Sequence, residues 1–175
     1  MLDTVQRAAP EGNVQRKPAV RLRPAERGDI EPVRTILRDL HERTMFANHS
    51  FSDARYDRHV EAFFGGRSNQ ECIVAERNGR VVGMAWFSIG PYMLCDDLKL
   101  TTVHVIAIDR ARAGPFIAAK AFARLVEGIR RWSVARGGDH VLIHVTTGSE
   151  IASTQRLMRA VGAELVGGSF VISDE

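Results

Sequence analysis

The chain has 175 residues, 45% of them hydrophobic and 26% charged, and its formal net charge of +3 comes almost wholly from arginine, since only Lys17, Lys99 and Lys120 are lysines. That length and apolar content suffice for one buried core, so one domain is expected over residues 19–175 behind a polar tail, 1–18. No basic run has the density of a nucleic-acid footprint and no apolar run suits a signal peptide or membrane span, so neither nucleic-acid nor membrane partners are expected and a cytoplasmic location is.

The tail contains Pro10, Gly12 and Pro18 without any hydrophobic period, which predicts a flexible segment. Residues 20–24 alternate as a short strand should. Asp29 then precedes a helix whose apolar residues Ile30, Val33, Ile36, Leu37 and Leu40 recur at helical spacing. A loop through Phe46 leads to a second helix, starting near Ser52 or Asp53 and stopped by Gly65-Gly66.

Beyond it the period changes to two. Residues 72–76 and 81–88 flank Asn78-Gly79, a strong short-range hairpin signal. Cys72 falls in this apolar stretch and Cys95 in the polar loop that follows; with no CxxC spacing, both are expected as reduced thiols. A strand over 101–108 then empties through a turn, 109–115, into a long helix ending near Arg136. Such a turn is a phosphate seat, because backbone N–H groups and the positive end of the helix dipole converge there. Gly137-Gly138 stops the helix. A strand over 141–145, a helix from about Glu150 to Val161 and a closing strand near 165–172 complete an α/β chain of order β-α-α-β-β-β-α-β-α-β.

Several side chains in these elements carry chemistry. His104 is read as alternating away from Val103 and Val105, and is either a general base or a hydrogen-bonded histidine on a sheet face. His144 occupies a similar place on the next strand, but no third ligand has matching spacing, so no metal is expected. Glu150 is a base, an amine anchor or, with Ser149, a helix cap. Arg110 and Arg112 either reach phosphates or are solvated. Phe46, Phe51, Tyr92 and Met93 either form an apolar acceptor pocket or pack under their loops. Trp132 and Phe122 belong to the apolar face of the long helix.

The element order, with residues 20–25 ahead of Asp29-Ile30, the hairpin ending in Val82-Gly83-Met84-Ala85, the strand and glycine turn after Val103, and Gly162-Ala163-Glu164 following Leu157-Met158-Arg159, resembles the GNAT superfamily of acyl-CoA-dependent N-acetyltransferases. The likeness spans residues 20–172. Phe46-Ala47, Phe51, Tyr56-Asp57 and Val145-Thr146-Thr147-Gly148 resemble, more narrowly, acetyltransferase-like proteins often encoded by phages. The resemblance implies a mixed sheet whose central strands, 103–108 and 141–145, splay apart around acetyl-CoA. The pantetheine arm would pair with the backbone of Val105, Ile106, Ala107 and Ile108. Phosphates would meet Arg110, Arg112, Ala113, Gly114, Pro115, Phe116, Ala118 and Ala119. Thr146, Thr147 and Ser149 would border the amine substrate, with His104 or Glu150 as base, and a homodimer is a reasonable expectation.

Two departures stand out. The family's phosphate turn, R/Q-x-x-G-x-G/A, aligns with Ala113-Gly114-Pro115-Phe116-Ile117-Ala118, so that Phe116 replaces a glycine, Pro115 removes an N–H and the arginine is displaced to Arg112. Met158, which can donate no proton, stands where a tyrosine commonly serves as acid for the thiolate. They favour an alternative: a GNAT-fold protein with a degenerate site, acting as a binding or structural module, for instance in a phage-derived assembly.

Overall fold

The computed structural model describes residues 19–66, 69–144 and 151–167. Its centre is a five-stranded sheet in the order β1-β2-β3-β4-β5, with β1 Arg21–Pro24, β2 Gln70–Arg77, β3 Arg80–Pro91, β4 Lys99–Ile108 and β5 His140–Ile143. The first four strands pair antiparallel and β5 joins β4 in parallel. The parallel step is made by α3, Arg110–Ala135, on one face; α1, Ile30–His41, and α2, Asp53–Phe64, lie on the other. Among the described residues no helix is long and apolar enough to cross a membrane.

Local chemistry accounts for the element ends. Asn78 and Gly79 both take positive φ, 54° and 73°, as a type I′ turn requires. Ser52 caps α2 by accepting from the Arg55 N–H, and Gly66 follows the helix at φ 95°. Asp29 holds the N-cap position of α1 but its carboxylate caps nothing there. It accepts from the Glu26 N–H at 2.8 Å and from Arg23 at 2.6 and 2.8 Å, closing a capping box on the preceding 3-10 turn, Arg27–Asp29.

Two cores result. Ile73, Ala75, Ala85, Phe87 and Val103 face Ala121, Leu125 and Ile129 of α3. Phe87, Leu125 and Ile129 are fully buried, each stabilising the fold by about 2–3 kcal/mol. Phe122 is buried as expected, and Trp132 packs edge-on against Phe87. On the other face Val33 and Ile36 of α1 and Tyr56 of α2 cover Cys72, Val74, Met84 and Ala107.

The C-terminal part differs from expectation. A final helix, α4, spans Ile151–Ala160, but residues 163–167 are irregular rather than the start of a strand, and the remainder of that expected strand lies outside the described residues. Leu165 and Val166, the described apolar residues of that stretch, are exposed.

Candidate functional site

Strand β4 changes character at His104. Phe87 pairs with Val103 and Trp86 with Val105, so His104 is the extra residue of a β-bulge. On the opposite edge, pairing with β5 runs only from Leu100↔His140 to Val103↔Ile143. Among the described residues β4 therefore has no partner on that side from His104 to Ile108, which is the parting expected for the two central strands. The Asp109 N–H donates to Val82 O at 3.0 Å, toward β3. Because successive peptide groups of a strand alternate sides, those of Ile108 and Ile106 face the open edge.

Gly83 lies on the covered side of this segment. A Cβ there would stand 2.6 Å from Ile108 Cδ1 and 3.0 Å from Ala107 O, so glycine lets β3 and the foot of β4 lie this close beneath Leu125.

At the foot of β4 the chain does not run as a loop to residue 115. Asp109 caps a helical turn at once, its carboxylate accepting from the Arg112 N–H at 3.0 Å, and α3 begins at Arg110. Gly114 then interrupts the helix at φ 71°, ψ 164°, and a second helical course starts with Pro115, where a missing N–H costs nothing. Alanine at Gly114 would touch nothing within 4 Å, so the requirement for glycine is conformational, not spatial. The Arg112 guanidinium turns back toward Asp109 at 3.5 Å, and Phe116 is 80% exposed beside the break.

His104 lies opposite Val103, as alternation expects, but the bulge puts Val105 on the same α1/α2 face as His104 rather than opposite it. There the His104 ring lies 4.9 Å from that of Trp86 and its Nε2 lies 2.8 Å from Ser88 Oγ. His59 of α2 also lies against Trp86, ring to ring at 5.4 Å. Burial, followed by the nearby charge of His144, holds the His104 pKa below the ordinary imidazole value. Trp86, Ser88 and His59 drew no functional reading from sequence. The i, i+2 spacing of Trp86 and Ser88 puts them on one face, but that His104 lies beside them depends on the pairing of β3 with β4.

A cavity of about 120 Å³ lies on this same face, under α2, with Trp86 and Val105 in its wall. A second, of about 360 Å³, lies by Ser88, Thr102, Tyr92 and Met93. Tyr92, Met93 and Phe46 are exposed in their loops, whereas Phe51 packs against the helix-covered core beside His41 and Tyr56. Val145, Thr146, Thr147, Ser149 and Glu150 lie outside the described residues. Met158 is half-buried on α4. Among the described residues no group of three or more His, Cys, Asp or Glu is placed to hold a metal ion.

Residues 34–162 match the Acetyltransferase (GNAT) family. No curated protein matches the chain in sequence. Among solved structures it is similar to a transcriptional regulator from Bacillus halodurans C-125 (19% identity, TM-score 0.70, covering 89% of this chain and 99% of that one). It is similar also to AAC(6')-Iy in complex with a CoA-containing bisubstrate analogue (16% identity, TM-score 0.68, 89% and 98%). A third is the ribosomal-protein-alanine N-acetyltransferase from Brucella melitensis biovar Abortus 2308 (17% identity, TM-score 0.62, 89% and 99%). At these identities the likeness establishes the mixed α/β fold. None of them supports the phage-associated subgroup.

Proposed function

The chain belongs to the GNAT family of acetyltransferases, and on that premise we propose that it moves an acetyl group from acetyl-CoA to a primary amine by direct attack in a ternary complex. The observation that carries this reading is the parting of β4 from β5 at the His104 bulge, in line with the helix restart after Gly114. The pantetheine amides would pair with the outward peptide groups of Ile106 and Ile108 within the run Val105, Ile106, Ala107, Ile108. The pyrophosphate would meet the turn from Arg112 through Ala113, Gly114, Phe116, Ala118 and Ala119, where the dipole of α3 is positive. Arg110 and Arg112 flank that turn; Arg112 would leave Asp109 to reach a phosphate.

The thioester carbonyl would then sit at the bulge. A neutral amine attacks it, a C–N bond forms, and the tetrahedral intermediate collapses with cleavage of C–S. His104 takes the ammonium proton: in the tautomer whose Nε2–H donates to Ser88 Oγ, Nδ1 holds the free lone pair. Its depressed pKa supports this role, since the ring stays neutral near pH 7. Thr146, Thr147 and Ser149 would border the acceptor, and Glu150 is the second candidate for base or anchor. With Met158 in the usual tyrosine position the CoA thiolate leaves without an acid, which slows the step but does not forbid it, because a thiolate is a tolerable leaving group near neutral pH.

Phe116, Pro115 and Met158 favour a second reading, a GNAT fold that has lost efficient transfer and serves as a binding or structural module, as in a phage-derived assembly. Isothermal titration with acetyl-CoA and CoA separates the two. One-site binding tighter than about 100 μM, about 5.5 kcal/mol, supports the transferase. No binding by folded protein supports the module.

A further inference from the structure

Resting on the transferase reading, we propose that the acceptor is an amine with an apolar body about the size of one ring, lodged in the cavity between α2 and the sheet. The cavity, of about 120 Å³, is walled by Val33, Tyr56, Val60, Phe63, Met84 and Val105, and by Trp86, whose ring lies 4.9 Å from that of His104. An apolar cavity of about 150 Å³ holds a benzene molecule, which sets the scale of the group that fits.

Most polar atoms in the wall are already committed, the exception being the Trp86 indole N–H, which is buried without a partner. Tyr56 Oη–H donates to Ile30 O at 2.7 Å, and the Asp29 carboxylate is taken by Arg23 at 2.6 Å. Glu26 and His59, both exposed, and the buried Cys72 thiol are the further ionisable groups in the lining. A polyhydroxylated, polycationic body of the aminoglycoside kind would strand its hydroxyls here, each an uncompensated burial. An alkyl or aryl group strands no polar group of its own.

The gap also has a reason to persist. Arg34 of α1 binds Asp53 at 3.1 Å and Asp57 at 2.7 Å on α2, while its guanidinium covers the Tyr56 ring. Ion pairs at its N-terminal end thus hold α2 to α1, so α2 need not collapse onto the strands beneath Val60 and Phe63.

Stereochemistry selects the amine rather than the acyl chain as occupant. A nucleophile approaches a thioester along the normal to its plane, and His104, which receives the proton, lies on the α1/α2 face. The amine therefore comes from that face, and its body extends into the cavity. The acyl substituent stays in the thioester plane, along the sheet.

The test compares kcat/KM for 2-phenylethylamine, n-hexylamine, methylamine and kanamycin, with acetyl-CoA saturating, in the native chain and in Val60→Phe, which fills the cavity from α2. The first two amines are expected to exceed the others at least tenfold. Val60→Phe should lower kcat/KM for 2-phenylethylamine at least tenfold while leaving methylamine and CoA affinity within twofold. Preference for kanamycin or methylamine, or an equal loss for every amine, overturns the proposal. If Val60→Phe does not fold, Val60→Ala enlarges the cavity and should shift preference toward 2-(1-naphthyl)ethylamine; an unchanged ranking counts against the cavity. If no amine is acetylated, titration of 2-phenylethylamine into the CoA-saturated protein decides separately from transfer: saturable binding lost in Val60→Phe supports the site, and no binding overturns it.

Discussion

Gly114 offers a test in which backbone strain and ligand binding come apart. Its φ of 71° and ψ of 164° fall in a region that is almost glycine-only, and a Cβ would meet open space. Gly114→Ala should therefore cost only conformational strain, about 1–3 kcal/mol. For a chain of this size each kcal/mol lowers Tm by about 2–4 °C, so the fold survives. Gly114→Glu adds a carboxylate near the proposed pyrophosphate. One charge pair at about 5 Å and an effective dielectric of about 20 repels by about 3 kcal/mol, a loss in affinity of more than about a hundredfold before salt screening. Thermal denaturation and titration with CoA, run beside pantetheine as a ligand without phosphates, separate the effects. Both variants should melt alike, only Gly114→Glu should lose CoA, and pantetheine should not distinguish them beyond the shared strain. CoA affinity unchanged in Gly114→Glu would refute the placement of the phosphates at this turn, and an unchanged Tm in Gly114→Ala would refute the backbone argument.

His104→Gln should keep CoA affinity and lower kcat about a hundredfold or more, the usual loss for a general base. Since burial and His144 depress the His104 pKa, its neutral form persists on acidification, so the acid limb of kcat/KM should lie below the ordinary imidazole value near 6.5 and vanish in the variant. Gly83→Ala should destabilise by about 1–3 kcal/mol in a denaturant titration, because its Cβ would displace both Ile108 and the Ala107 carbonyl, and should weaken CoA binding along with stability. Hydrogen bonds from Arg23 lower the Asp29 pKa, so this carboxylate stabilises the fold above its unfolded pKa near 3.8 and the contribution is lost as pH falls through its lower folded value. Asp29→Asn should cost about 2 kcal/mol at pH 7, and its deficit against the native chain should shrink below about pH 4, read by urea unfolding at each pH.

Much of the architecture is legible along the chain because it is set by contacts of a few residues. Asn78-Gly79 demands positive φ at both positions and so makes the hairpin. The 3.6-residue recurrence of Val33 with Ile36, and of Ala121 through Ile129, makes buried helix faces whatever they face. The C-terminal segment shows the limit: Leu165 and Val166 carry the apolar pattern of a strand start yet are irregular and exposed, and the rest of that expected strand lies outside the described residues. At the turn, the Asp109 cap fits a helix start, yet a full helical turn before Gly114 is chosen by the Asp109–Arg112 bond competing with a loop.

The site follows the same division. Local sequence determined that a strand would empty into a glycine break and a helix, and that His104 and the backbone beyond it would lie next to that break. Only the tertiary structure decided what His104 faces. The register between β3 and β4 leaves it unpaired, so Val105 joins it on one face, and the pairing sets His104 against Trp86 and Ser88. The parting of β4 from β5 and the cavity under α2 are likewise relations between elements distant in sequence. They arise from where pairing stops and from how ion pairs hold one helix above a sheet, and no local pattern of residues encodes either distance.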